Sequence, residues 1–288
     1  MALSVIVTVG EYMKKLALII ASVLLIVFSV GCLANNNENI MSRDQEHHQT
    51  APKDPERETI LNNFEFNYDE WDLSPIPAIG STEWRDANWS KNGEWRVSLE
   101  NDRVMVSESR NFDAYRFDLP DGYFFGEDLG EWGGILSYYP KEGEGYVVEN
   151  CDATGMFLIG NDLYLLEGKS YLIPSDGHVY NVKKTNGKWK LGGRLKLNGS
   201  PMAFTRNGDV IYVVTDMAII EMHKRFQMFS ALKLTVLAEH GFMTSLYPDS
   251  VVQLNDILYI GMRGGILTFN LADKEAKWYI KKGLNLAD

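Results

Sequence analysis

The sequence predicts an all-β fold built from repeated four-stranded units, and two observations carry that prediction. The stretches GNDLYLLEG, NGDVIYVVT and LNDILYIGM, which begin at Gly160, Asn207 and Leu254, are near-copies of one another. Beyond residue 60, apolar runs bounded by Gly, Asn and Asp recur, whereas no window shows a sustained apolar period of 3.6 residues. We therefore expect β-strands joined by tight turns throughout this region.

Each near-copy predicts a β-hairpin, because two apolar strands flank an Asn/Gly/Asp turn. The aspartates Asp162, Asp209 and Asp256 fall 47 residues apart, and we expect them at the turn positions that require φ > 0. A third and a fourth strand follow each hairpin. The third strands are HVYNVKK, MAIIEMH and GILTFNL, and the fourth are GKWKLGG, LKLTVLA and AKWYIKK.

Weaker copies of the unit lie upstream. AYRFDLPDGYFFGED, GGILSYYP and GEGYVVEN repeat the order of strands, and EWRDANWSKNGEWRVSLENDRVMVSES supplies two or three more in a degenerate first unit. Four strands in about 47 residues is the size of a β-propeller blade. Residues 60–288 are therefore predicted to form a propeller of five blades, with six left open. The likeness to secreted bacterial propellers lies in the regular repeat alone, since no Trp-Asp ending or Asp-box is present.

The first 32 residues have the features of an export signal. A basic MKK segment at Met13 precedes an uncharged run of 15 residues, 16–30, which is shorter than the roughly 20 residues of a membrane-spanning helix. The following FSVGC, ending at Cys32, resembles a bacterial lipoprotein signal. That resemblance implies a diacylglycerol-modified Cys32, a lipid anchor in the cell membrane and an extracytoplasmic location. Ser29, where the family usually has Leu, leaves ordinary signal cleavage or an uncleaved anchor open.

Composition limits the partners. Residues 33–59 contain three consecutive asparagines, two prolines and scattered charges, which predicts a flexible polar tether. The formal net charge of −11 disfavours nucleic acid as a partner. No linear motif for a metal, a phosphate or a nucleophile is present, so we expect no cofactor and no metal. Cys151 is expected to be a buried packing residue, and the chain to be a monomer that binds an extracytoplasmic protein or glycan.

Departures from the repeat supply the candidate ligand-binding residues. GMRGG places Arg263 and two glycines at one turn, and SLYPDS adds Tyr247 and Asp249 beside it. The planar guanidinium of an arginine suits a carboxylate or a phosphate. The alternative is that Arg263 pairs with an acid of a neighbouring blade. The acidic loop FGEDLGEW contributes two further candidates, Glu127 and Asp128.

Tryptophans divide into two groups. Trp189 and Trp278 occupy equivalent positions in their units, and Trp95 lies in a similar local sequence, which favours a structural role between blades. The other four, Trp71, Trp84, Trp89 and Trp132, do not follow the repeat. These four are candidates for a binding surface, or for packing of the degenerate unit.

An enzyme is the alternative to a binding module. Glycoside hydrolysis needs two carboxyl groups flanking the scissile bond, and Glu127 or Asp128 facing Arg263 across the channel mouth would suit a glycan-active hydrolase or lyase. The acids of this loop are close together in sequence, which is more typical of a solvated turn. No catalytic residue is therefore assigned, and a binding module is the prediction.

Overall fold

A computed structural model of the chain describes residues 63–89, 93–108, 114–128, 133–169, 175–224, 232–239 and 246–283. The signal segment 1–32, with Cys32, and the tether 33–59 lie outside these residues. In the described part, the only α-helix is α1 (Thr82–Asn88), and a short 3-10 helix spans Tyr68–Glu70. No helix among these residues is long and apolar enough to cross a membrane.

The rest of the described secondary structure is β-strand, as the sequence predicts. The strands are β1 (Asn63–Glu65), β2 (Trp71–Ser74), β3 (Trp95–Glu100), β4 (Arg103–Glu108), β5 (Ala114–Leu119), β6 (Gly122–Asp128), β7 (Gly134–Pro140), β8 (Tyr146–Glu149), β9 (Ala153–Ile159), β10 (Asp162–Lys169), β11 (Asp176–Thr185), β12 (Lys188–Lys196), β13 (Pro201–Asn207), β14 (Val210–Thr215), β15 (Ala218–Lys224), β16 (Leu232–Glu239), β17 (Ser250–Leu254), β18 (Ile257–Met262), β19 (Gly265–Asn270) and β20 (Ala276–Lys281).

These strands form five antiparallel sheets, numbered here in chain order. Sheet I has the order β1–β4–β3, and sheets II, III and IV are the four-stranded meanders β5–β8, β9–β12 and β13–β16. Sheet V has five strands, because β2 pairs with the outer edge of β20 after β17–β18–β19. The predicted third and fourth strands of each unit are thus confirmed. The position of β2 was not predicted: it ties the start of the described chain to its last sheet.

The sheets are neighbours in a row, and each contacts the next through one of its edge strands. Strand β3 lies beside β17, β17 beside β13, β13 beside β9 and β9 beside β5. Sheets I, V, IV, III and II are therefore successive neighbours. No contact of similar extent joins β5 to β3 in the part of the chain that the structure describes. The closed ring that the repeat predicts is therefore not found there.

The three repeated hairpins are present, and Asp209 and Asp256 lie in their turns as predicted, but none of the three aspartates has the expected positive φ. The turns are closed by the pairs Ile159↔Asp162, Asn207↔Val210 and Leu254↔Ile257. The positive φ falls on the first residue of each two-residue turn: Gly160 at 59°, Gly208 at 60° and Asn255 at 54°. Asp162 already lies in a strand, while Asp209 and Asp256 are second turn residues at ordinary φ. One positive φ at the first position is the pattern of a type II′ turn, which suits Gly or Asn.

Helix α1 corrects a strand prediction, since EWRDANW was expected to be part of the β-rich first unit. Ser81 caps the helix by accepting a hydrogen bond from the Trp84 backbone N–H at 3.1 Å, and Glu83 lies in its first turn. Ala87, one turn after Trp84, is buried. Seven residues are too few for a clear 3.6-residue period, so the capping serine was the available signal.

The predicted structural tryptophans fill the space between sheets. Trp278 is 1% exposed and packs in a cluster that joins sheets IV and V. Trp189 of sheet III packs on sheet II, with its ring 5.5 Å from Phe124 and 6.0 Å from Tyr138. Trp95 meets Trp71 edge to face at 5.1 Å, where sheets I and V adjoin. Trp71 is 3% exposed and therefore belongs to the core rather than to a binding surface.

Candidate functional site

The turn between β18 and β19 places Arg263 at the boundary of sheets V and I. Gly264 follows with φ of +79°, and its N–H donates to the Gly93 carbonyl at 2.8 Å. A Cβ atom on Gly264 would lie 2.5 Å from the Cβ of Ala87 in helix α1. Both the left-handed backbone and the close approach of the helix therefore require glycine here. This turn holds the arginine against the residues that precede β3.

The guanidinium of Arg263 is held in one orientation from two sides. Its Nε donates to Glu94 Oε1 at 2.8 Å, and the guanidinium carbon lies 4.0 Å from the centre of the Tyr247 ring. The Arg263 and Glu94 side chains are 21% and 20% exposed. The terminal nitrogens Nη1 and Nη2 make no hydrogen bond to the described residues. The pairing with an acid of a neighbouring sheet, which the sequence left as the alternative, is thus present. It uses the Nε atom of Arg263, so the two terminal nitrogens remain oriented as a pair of hydrogen-bond donors.

Asp249, predicted beside Arg263, acts within the protein instead. Its Oδ1 accepts a hydrogen bond from the Ser250 hydroxyl at 2.8 Å. The Ser250 oxygen in turn accepts from the Val97 N–H at 2.8 Å. The aspartate therefore orients a serine that links sheet V to sheet I. Tyr247 contacts the guanidinium of Arg263, whereas the side chain of Asp249 contacts Ser250.

The three tryptophan candidates have different outcomes. Trp84 is partly buried and packs on the cluster that contains Ala87, Leu246 and Met262, so its role is packing. Trp89 ends helix α1 and is 71% exposed, which makes it the most exposed large apolar side chain that the structure describes. It lies two residues after Ala87, which touches the Arg263 turn. Trp132 lies outside the described residues.

The acidic loop is not brought to the Arg263 turn. Glu127 lies at the end of β6 in sheet II, where it pairs with Ala114 and Ile135. Asp128 closes the same strand opposite Gly134, and its side chain is not among those described. Arg263 lies at the boundary of sheets V and I. No described contact joins the two places, and the described residues contain no group of three or more His, Cys, Asp and Glu that could hold a metal ion.

A second polar cluster, which the sequence did not indicate, lies in sheet III. His178 Nδ1 is 3.3 Å from Glu167 Oε2, and the two side chains are 10% and 15% exposed.

Cys151 lies close to this cluster. Burial, followed by the charges of Glu167, Glu149 and Asp152, raises the pKa of the Cys151 thiol to about 12. This thiol stays protonated at neutral pH and is a poor nucleophile. The prediction that Cys151 is a buried, unpaired cysteine is confirmed.

Glu94 is the member of the site that the sequence analysis missed. It lies in NGEWRV, a stretch noticed only for its tryptophan. Its partner is 169 residues away in the chain, so no local pattern points to it. The similar stretch NGKWKL, with a lysine in place of the glutamate, was the available signal that this position differs between units.

Comparison with known proteins adds little to this picture. No protein-family model matches the sequence, and no curated protein matches it. Among solved structures, the chain is similar to a HIRA crystal structure at 10% identity and a TM-score of 0.30, over 59% of this chain and 54% of that one. It is also similar to the WD40 domain of SCAP from fission yeast at 9% identity and a TM-score of 0.29, over 74% and 59%. The chain spans little more than half the length of these solved chains. Neither likeness is strong enough to assign a family or a ligand.

Proposed function

We propose that the chain is a membrane-anchored extracytoplasmic lipoprotein whose five sheets are blades of a β-propeller and serve as a binding module for a protein or glycan. The propeller proposal is supported by the row of adjacent edge strands, since the inner edge strands of neighbouring blades lie side by side around a channel. The addition of β2 to sheet V supports it as well, because joining the two ends of the described chain stabilises a circular arrangement.

The observation that carries the binding function is the preset orientation of Arg263. Glu94 and Tyr247 fix its guanidinium, while Nη1 and Nη2 have no partner among the described residues. A partner carboxylate or sulfate could accept both donors at little cost in side-chain entropy, because the arginine is already ordered. Trp89 ends the helix that packs on this turn through Ala87, and it is 71% exposed, so it offers an aromatic surface of the kind enriched in binding sites.

Site-specific crosslinking in the native envelope tests this function. A photoreactive amino acid replaces Trp89 in the full chain, and we expect a discrete crosslinked product that disappears when Arg263→Ala is added. The matched control carries the same photoreactive group at Leu99, which is 44% exposed at the far end of β3. Equal products at both positions, or a Trp89 product that survives Arg263→Ala, would contradict a binding site at this turn.

The lipid anchor needs a separate test, since residues 1–32 lie outside the described structure. We expect metabolic labelling with palmitate to mark the wild-type chain and to be lost in Cys32→Ser. Cys151→Ser is the control and keeps the label, because Cys151 is buried in the folded domain. Label that persists in Cys32→Ser would exclude this anchor and leave the binding function standing.

A further inference from the structure

A cavity between sheets II and III lies apart from the Arg263 turn. It is formed by three turns: β5–β6 with Asp121, β7–β8 with residues 140–146, and β11–β12 with residues 184–188. Its volume is about 490 Å³, within the range of about 300–1,000 Å³ that is usual for small-molecule sites. The cavity is therefore large enough for a small ligand.

Its floor is formed by Tyr138, which is 3% exposed. The Tyr138 hydroxyl lies beside Gly122, where an added Cβ would approach it to 2.6 Å. It also interacts with the Asp121 carboxyl, whose pKa is lowered most by Lys184 and further by this hydroxyl. The floor is therefore a buried aromatic side chain, and the groups that a ligand can reach are those of the walls.

The walls carry charges of both signs. Glu142 and Glu144 are exposed and form no ion pair with described residues. On the other side, Lys188 Nζ lies 5.2 Å from the centre of the Tyr146 ring, and Lys184 pairs with Asp121. A small cavity therefore offers carboxylate acceptors, ammonium donors and an aromatic ring.

Charges of both signs in one cavity disfavour ligands that carry a net charge. An anion is repelled by the three carboxylates, and a cation is repelled by the two lysines. An apolar ligand would remove these charges from water without replacing their hydrogen bonds. A hydroxyl group both donates and accepts, so a neutral ligand rich in hydroxyls satisfies carboxylates and ammonium groups together. The aromatic Tyr146 suits the apolar face of a sugar ring.

We propose that this cavity, named here the II–III cavity, binds a neutral saccharide of one or two rings. The proposal rests on the binding function inferred above, since it names a ligand class for the same module, but it places that ligand at a different site. Glu142, Glu144 and Lys188 hold the sugar hydroxyls, and Tyr146 packs on the ring. Protein partners that bind at Arg263 would leave this cavity unchanged.

Titration of the full-length, detergent-solubilised protein with defined sugars tests the proposal. The probes are maltose, cellobiose and diacetylchitobiose, with glucuronic acid and glucosamine as charged comparators, followed by calorimetry and by the fluorescence of Trp189 near the cavity. We expect at least one neutral disaccharide to bind with a Kd below about 1 mM, and the charged sugars at least tenfold more weakly. Binding of none of the three disaccharides, or tighter binding of a charged sugar, overturns the proposal.

Matched variants separate the cavity from the rest of the molecule. Glu142→Ala with Glu144→Ala, and Lys188→Met alone, should each weaken binding at least tenfold. Glu149→Ala at the other end of β8 removes one carboxylate outside the cavity, and Lys190→Met on the same strand as Lys188 removes one ammonium group there; each should change binding less than twofold. Equal losses in the control variants would contradict a site in the II–III cavity. Arg263→Ala should leave sugar binding intact, so the two binding sites can fail independently.

Discussion

Two boundaries between sheets each contain an ion pair beside an aromatic ring, but the two ion pairs differ in how exposed they are to water. At the boundary of sheets V and I, Arg263 pairs with Glu94 over Tyr247, and both charged side chains are about one-fifth exposed, at 21% and 20%. At the boundary of sheets II and III, Lys184 pairs with Asp121 near the ring of Trp189, with side chains 42% and 49% exposed. Both boundaries therefore place a cation between an acid and an aromatic ring.

Backbone contacts explain the difference. Around Arg263, the Gly264 N–H donates to Gly93, the Val97 N–H donates to Ser250, and helix α1 covers the turn. Around Lys184, a main-chain hydrogen bond crosses the boundary, from the Trp189 N–H to the Tyr146 hydroxyl at 2.9 Å, and the turns on either side of Lys184 are separated by the II–III cavity. An ion pair supported by main-chain hydrogen bonds is ordered and partly desolvated, whereas one between two exposed turns is screened by water. We thus expect the first boundary to contribute to stability and the second to remain available to a ligand.

The largest expected effect concerns Cys151, at the end of the II–III boundary opposite the cavity. Because burial raises the pKa of its thiol to about 12, the thiolate fraction is about a thousandfold lower than in the unfolded chain. We expect alkylation by iodoacetamide at pH 8 to be slower in the folded protein by at least that factor. In urea the rate should level off near pH 9, whereas in the folded protein it should still rise with pH there. Similar rates with and without urea would show that this end of the boundary is open.

The next largest effect should come from Gly261, at the tightly packed boundary. A Cβ atom there would approach the Trp95 carbonyl oxygen to 2.3 Å and the Ser250 hydroxyl to 2.5 Å. Since backbone cannot move aside easily, Gly261→Ala should reduce the free energy of unfolding by about 3 kcal/mol. Gly193→Ala is the control, because nothing lies within 4 Å of its added Cβ, and it should change stability by less than about 0.5 kcal/mol. Urea denaturation measures both free energies of unfolding. Equal effects would mean that the boundary of sheets V and I relaxes to accommodate the added methyl group.

Removing the arginine should have a moderate effect. Arg263→Ala loses the ion pair with Glu94 and the contact with Tyr247, and we expect a loss of about 1–2 kcal/mol in the free energy of unfolding. A double-mutant cycle with Glu94→Gln measures the coupling between the two charges. A coupling energy near zero would mean that the Arg263–Glu94 pair contributes no more to stability than the exposed Lys184–Asp121 pair.

The smallest effect is expected at the exposed pair. Lys184→Ala should cost at most about 1 kcal/mol, and this contribution should vanish in about 1 M salt. The hydrogen bond from Lys184 lowers the pKa of Asp121. The pair's contribution is therefore present above the ordinary carboxyl range near pH 4 and is lost as pH falls through the lowered pKa. Stability of wild type and variant across pH 2–7 checks the sign, and a difference that grows in acid would contradict it.

Local features of the fold were predictable because they depend on neighbours in sequence. The hairpins follow from apolar runs around Gly and Asn turns, and the strands of sheets II–V follow from their repetition. Helix α1 was missed because one turn of buried side chains is too short for a period to show. Strand β2 was not predicted, because a four-residue edge strand is too short for a pattern and its sequence does not say which sheet it joins.

The sequence by itself determined the strand order within each repeat, the acidic charge, the burial of Cys151 and the departure of the Arg263 turn from the repeat, since each depends on residue type and spacing. Only the tertiary structure decided that Glu94 pairs with Arg263, that Asp249 instead orients Ser250, and that the II–III cavity brings Glu144 and Lys188 together. Contacts between residues far apart in the chain depend on how the sheets stack, and no short-range pattern encodes that arrangement.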